Sequence, residues 1–183
     1  MLINAAKIGV LCLLSVLILG SFIMAPAAYA HTLTVCPSGC EFTAIQPAID
    51  SARSGDTIRI FSGVYRSEEG RPIAVITDKS LVLEGVGATV LDCSQGLCVG
   101  TVQLSCSQNH QITVKRLTIQ SADLYSVVMS NHGCKLRLID SAVLGEGTSD
   151  GIVHQGRGTL TIRTARYPVT MAASLFLKVK PSL

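Results

Sequence analysis

Ile112-Thr-Val-Lys-Arg-Leu-Thr-Ile119 decides the fold, because the chain repeats it. It aligns with Leu136-Arg-Leu-Ile-Asp-Ser-Ala-Val143 and then with Leu160-Thr-Ile-Arg-Thr-Ala-Arg-Tyr167. In phase with these, Ser126-Val-Val-Met129 falls on Asp150-Gly-Ile-Val153 and on Ser174-Leu-Phe-Leu177. Two apolar segments thus recur across three copies at a period of about 24 residues, and self-similarity at a fixed period marks a repeat architecture.

Within each copy the apolar residues alternate: Ile112 with Val114, Leu136 with Leu138, Leu160 with Ile162. Alternation of this kind describes strands with one buried face. Gly, Ser, Asn and Asp between them suit tight corners. A strand-only repeat of this length winds as one coil of a parallel β-helix, successive coils stacking at about 4.8 Å. Equivalent positions then lie above one another, so Leu117 is expected over Ser141 and Ala165. Asp150 is expected over Ser126 and under Ser174, and Asp140 over Arg116 as a surface ion pair.

Upstream, Asp56-Thr-Ile-Arg-Ile60 and Ser80-Leu-Val-Leu83 read as strands of earlier coils, with Ile58 set against Leu81 at nearly the same period. Before them Phe42, Ile45, Ile49 and Ala52 follow helical spacing, which predicts a short helix over about 43–54. Thr43 with Gln46 would form its capping box, Pro47 fits the first turn and Gly55 the C-terminal end. Such a helix covers the open end of a solenoid, whose strand edges would otherwise be unpaired. No corresponding cover is apparent after Tyr167, and the expectation is a domain over 31–183 whose C-terminal end is incomplete.

The run Phe42-Thr-Ala-Ile-Gln-Pro-Ala-Ile-Asp-Ser-Ala-Arg-Ser-Gly-Asp-Thr-Ile-Arg-Ile-Phe-Ser-Gly-Val-Tyr-Arg66 resembles the opening of right-handed parallel β-helix proteins of the pectin-lyase-like superfamily. There an aromatic-x-x-Ile-Gln-x-Ala-Ile helix leads to Gly-Asp-Thr-Ile and then Gly-x-Tyr. With the later repeats, the resemblance covers most of residues 32–164. It implies an all-β, right-handed parallel β-helix solenoid, exported and often engaged with polysaccharide. Fold alone fixes no activity. Pectin methylesterases share the opening and the Gly63-Val-Tyr65 turn, but their later Gln and paired Asp segments are missing. Polygalacturonases carry an Asn-Thr-Asp motif, an Asp-Asp pair and a Gly-His-Gly. Ser149-Asp150-Gly151 and Asn131-His132-Gly133 are only faintly similar, and in reversed order. The Ca²⁺-binding carboxylate cluster of pectate lyases is not evident, so no cofactor is expected, with calcium as the alternative.

Residues 1–30 read as a secretory leader: Lys7, an apolar run from Ile8 to Met24, and Ala28-Tyr29-Ala30 as the cleavage pattern. A retained N-terminal anchor is the alternative. The full chain carries a net charge of +3, without the strongly basic stripe of a nucleic-acid binder. Beyond the leader no second apolar run is long enough to span a membrane.

Six cysteines follow the leader: Cys36, Cys40, Cys93, Cys98, Cys106 and Cys134. An even number in an exported chain reads as disulfides, with fifteen pairings open. Short spacing favours Cys36–Cys40 and Cys93–Cys98, and elimination leaves Cys106–Cys134. Zinc is the rival reading, but the spacings lack a zinc-ribbon pattern.

Chemistry is thinly signalled. Asp150 is the one candidate for a catalytic carboxylate, although Asp150-Gly151 is also ordinary corner sequence. His110, His132 and His154 recur at a slightly shorter interval than the repeat, and so drift around the coil as exposed corner residues. Lys115, Arg116, Arg137 and Arg163 share one side as a weakly basic strip suited to an acidic polysaccharide such as a polyuronate. The absence of Trp leaves stacking of neutral sugars poorly supported. The readings are therefore an exported surface or polysaccharide-associated module without a complete catalytic site, the N-terminal piece of a lyase, esterase or glycosidase, and a structural stalk.

Overall fold

The computed structural model describes residues 29–67, 70–95, 98–121, 125–130, 133–145, 150–155, 158–163 and 177–179. The leader up to Ala28, together with His132, Ala165 and Ser174, lies outside the described residues. The chain forms a parallel β-solenoid of about 4 turns with one short helix. With strands numbered in chain order, the first face holds β1 (Thr32–Val35), the start of β2 (Thr57–Arg66) and of β4 (Leu81–Cys93), β6 (Gln111–Lys115), β9 (Lys135–Ile139) and β12 (Thr159–Arg163). The second joins the ends of β2 and β4 to β7 (Thr118–Ser121) and β10 (Ala142–Gly145). The third stacks β3 (Ala74–Thr77), β5 (Val99–Ser105), β8 (Tyr125–Ser130), β11 (Asp150–Gln155) and β13 (Leu177–Val179).

Alternation drives one side chain in two inward, and parallel pairing places like on like. On the first face Leu33, Ile58, Leu83, Val114, Leu138 and Ile162 make one continuous inner column. Leu81, Ile112, Leu136 and Leu160 make another. On the second face Tyr65, Leu91, Ile119 and Val143 align in the same way. All but Ile162, Leu160 and Val143 are buried, and those three pack partly buried against the rest. Each buried aliphatic side chain contributes about 1.5–3 kcal/mol of burial free energy.

The repeat period holds on the first two faces of the later coils, where Ile112 pairs Leu136, Leu136 pairs Leu160 and Ile119 pairs Val143. It does not hold on the third. There Val127 pairs Ile152 and Tyr125 pairs Asp150, one position beyond it. The corner between Gly145 and Asp150 is one residue longer than that between Ser121 and Tyr125. The next corner is one shorter, restoring the common period where Lys135 meets Thr159. Asp150 thus stacks on Tyr125, not Ser126, and Leu177 rather than Phe176 lies on Ile152. Earlier repeats are longer: Ile58 pairs Leu83 rather than Leu81, and Leu83 pairs Val114. Part of the extra length forms the Gly85–Gly87 bend inside β4, which β6 and β7 replace with the tight corner at Arg116 (φ 54°). Leu117 does meet Ser141 at that corner, its amide donating to the Ser141 hydroxyl.

The helix α1 (Ile45–Ser51) caps the first coil, burying Ile45, Ala48 and Ile49 against it. It is shorter than 43–54, and no capping box forms: Ala44 occupies the N-cap and no side chain bonds there. Gln46 turns instead to the open edge of the third face. Its Nε2 donates to the Val75 carbonyl (3.2 Å) and to Asp50 Oδ1 (2.8 Å), while the Val75 amide donates to its Oε1 (2.7 Å). A primary amide has both the donor and the acceptor of a peptide group, so Gln46 stands in for the missing neighbour of edge strand β3. At the far end of α1, Lys79 Nζ donates to the carbonyls of Ile49, Asp50 and Ala52 at 2.9–3.1 Å. A cation there satisfies orphan carbonyls and complements the helix dipole. Tyr65 Oη donates to the Phe61 and Val35 carbonyls and ties β1 to β2.

The disulfides pair as spacing suggests for Cys36–Cys40 and Cys93–Cys98 and as elimination leaves for Cys106–Cys134, with Cα separations of 5.5, 6.1 and 5.2 Å, all within bridging range. All six cysteines after the leader are thus engaged in bridges. The third bridge is fully buried and joins one coil to the next, and disulfides of this number point to an oxidising environment. Among the described residues no helix is long and apolar enough to cross a membrane.

Asp56 is buried, and its carboxylate accepts the amides of His31 (2.8 Å) and Arg53 (2.7 Å), stitching the first strand to the turn after α1. Burial opposes its charge, yet these two donors hold its carboxyl below the usual range. Asp56→Ala leaves both amides without their acceptor, and denaturant unfolding should show a loss of about 1–3 kcal/mol. Because the folded pKa lies below the unfolded value of about 3.9, the stabilisation is present above that value and lost as pH falls through the folded one. The gap between wild type and Asp56→Ala should therefore narrow below about pH 4.

Candidate functional site

The outward residues of the first face form columns as regular as the inner ones. One runs Thr34, Arg59, Glu84, Lys115, Ile139, Arg163, one residue from each strand of the face. Beside it runs Thr32, Thr57, Val82, Thr113, Arg137, Thr161. Lys135 sits further along, between Gln111 and Thr159. Pairing in register spaces these side chains by about 4.8 Å along the solenoid. With the corner residues Arg116 and Asp140, the described part of this face carries six cations (Arg59, Lys115, Arg116, Lys135, Arg137, Arg163) against two carboxylates (Glu84, Asp140). The face thus holds a surplus of four positive charges, more than the +3 of the entire chain.

The expected strip of Lys115, Arg116, Arg137 and Arg163 is therefore on one face, but it is not a line of equivalent cations. Lys115 Nζ lies 3.3 Å from Glu84 Oε1 and Arg59 Nε lies 3.9 Å from Oε2. The Arg116 guanidinium contacts the same carboxylate and donates from Nε to the Gly85 carbonyl (3.2 Å). The side chain of Glu84 is 13% exposed, whereas Arg59, Lys115 and Arg116 are 46, 30 and 50% exposed. Burial works against the Glu84 charge, but Lys115 and Arg116 hold its carboxyl below the usual range. The ion pair expected between Arg116 and Asp140 is replaced by this one. The positive φ at Arg116 turns that corner, and its side chain reaches back to the preceding coil.

Asp150 begins β11 on the third face, away from the basic columns. His110 is at a corner, 3.9 Å from Asp78, as expected of a corner residue. His154 is not at a corner: it lies within β11, at the register position of Met129, above Leu104 and Ile76. A groove of about 570 Å³ lies beside the cap, lined by Pro37, Gln46, Asp50, Val64, Tyr65 and Arg66 among others. Three of its polar side chains are engaged by the fold: Gln46 with Val75, Tyr65 with two carbonyls, and Arg66 with Asp92 at 3.4 Å. The first face is the stronger candidate.

Sequence reasoning missed Arg59, Glu84 and Lys135. Pairing Ile58 with Leu81 displaces Arg59 from Glu84 by two positions; pairing it with Leu83 sets them side by side. Lys135 was legible from its place immediately before the Leu136 repeat.

These features define a parallel β-solenoid bearing a cationic outer ladder. Comparison of the chain with protein-family models, curated proteins and solved structures finds no match.

Gly85 makes the cluster geometrically accessible. A Cβ there would collide with the Arg116 backbone carbonyl and come within 2.8 Å of Leu117 Cδ2. Gly85→Ala should cost about 1–3 kcal/mol through overpacking, read as a lowered unfolding midpoint. An unchanged midpoint would show that the corner at Arg116 does not press on β4.

Proposed function

We propose that the protein is an exported β-helix module, of the pectin-lyase-like kind its opening resembles, that holds a linear acidic polysaccharide along the first face and performs no chemistry on it. The observation that carries this reading is the concentration of six cations against two carboxylates on one flat, rung-spaced surface. An extended polyanion lying along the solenoid axis meets cations at four of the six strands of the face, β2, β6, β9 and β12. Thr32, Thr57 and Thr161 interleave with these cations and offer hydroxyls to sugar oxygens. Export follows from the leader pattern and suits the three disulfides.

Retention on immobilised polygalacturonate tests this. The wild-type protein should bind at low salt and elute as ionic strength shortens the screening length to about 8 Å near 0.15 M. Arg137→Ala combined with Arg163→Ala removes two cations that lie outside the Glu84 cluster. At about 0.5–1 kcal/mol each, affinity should fall by about 5- to 30-fold. Retention unaffected by the double substitution would remove the basic face as the binding surface, and release of shortened, unsaturated or de-esterified product would show that the chain is an enzyme.

A further inference from the structure

The centre of the basic face is already filled. Arg59 from β2, Lys115 from β6 and Arg116 from the corner after β6 converge on one carboxylate, that of Glu84 on β4, which is the most enclosed of the four side chains. The aliphatic columns beneath do not require a carboxylate at this position. Its inner neighbour Leu83 supplies the buried contact and Gly85 the room for the corner, while the Glu84 side chain faces out. Its three cationic partners are 30–50% exposed and so reachable from solvent. A carboxylate held in this way has the charge and shape of the group that a uronate chain would present to the same cations.

We infer that Glu84 is an internal competitor: it occupies the anion site formed by Arg59, Lys115 and Arg116, and an acidic polymer must displace it to bind across the middle of the face. The inference rests on the polyanion reading above and adds a gate to that surface. With Glu84 seated, an incoming carboxylate meets a like charge and cations already engaged. The polymer is therefore held first by Lys135, Arg137 and Arg163, beyond the cluster, and extends over β4 and β2 only as the Glu84 side chain swings out. The gate sets a threshold that favours long polymers over isolated uronates, since only a multiply anchored chain keeps carboxylates beside the cluster long enough to replace it.

Glu84→Gln keeps the shape of the side chain and removes its charge. Affinity of the full chain for polygalacturonate should rise by about 3- to 10-fold, the worth of freeing one exposed ion-pair cluster. The preference for long chains over a galacturonate trimer should narrow. Unchanged or weaker binding by a folded Glu84→Gln protein would overturn the inference. If the variant does not fold, the wild-type protein labelled with ¹³C at glutamate carboxyls gives the same answer. Saturating oligogalacturonate should shift the Glu84 carboxyl resonance and raise its titration midpoint as Lys115, Arg116 and Arg59 are taken from it. A resonance and midpoint that do not move at saturation would equally overturn it. The Arg137→Ala, Arg163→Ala protein separates the two claims: loss of retention there with no gain in Glu84→Gln sinks the gate alone, whereas no effect in either sinks the binding surface.

Discussion

The stacking of one aliphatic side chain on its counterpart in the next coil is the constraint on which this structure depends. A single turn of such a coil cannot bury its inner face, so each turn is stable only against its neighbours. The column from Leu33 through Ile58, Leu83, Val114 and Leu138 to Ile162 runs across every coil of the first face. A slip of one residue would turn every inner side chain outward, so the columns fix register strictly. Corner lengths then adjust around them. The third face tolerates a one-residue insertion after Gly145 because a compensating shortening before Thr159 returns the chain to the same aliphatic column.

A solenoid built in this way has ends, and the N-terminal one is closed by a few polar contacts. Gln46 pairs with the backbone of Val75, Lys79 gathers the last carbonyls of α1, Asp56 holds two amides and Tyr65 reaches two carbonyls. Three of these residues belong to the motif that resembles the opening of pectin-lyase-like proteins. Their roles here are structural: each satisfies backbone groups that no strand among the described residues pairs at this end. The motif therefore speaks for the fold, and the chemistry of the surface is decided elsewhere.

The fold was legible in the sequence because alternation and period report the same physics that the columns express. Ile112, Leu136 and Leu160 share one position of the repeat, and two of the three cysteine pairs followed from their spacing. What was hidden came from variable corners. The upstream repeats are longer than the later ones, so a constant period sets Ile58 against Leu81 and conceals the meeting of Arg59 with Glu84. The capping box failed for a related reason. Gln46 satisfies both the local rule and a long-range need, and the open edge of β3, unseen in a linear reading, took it. Of the candidate site, four cations were visible, but the carboxylate that organises two of them was not.

The charge pattern outside is a consequence of the register inside. Because Ile58 sits on Leu83 and Leu83 on Val114, Arg59, Glu84 and Lys115 become neighbours on the outer surface, and the anion site exists only in that register. Cross-strand nuclear Overhauser contacts in the oxidised, isotopically labelled protein test this most directly. The account predicts contacts linking Arg59 to Glu84 and Glu84 to Lys115. Contacts of Arg59 with Val82 in their place would set the strands two residues apart, dissolve the cluster and contradict it.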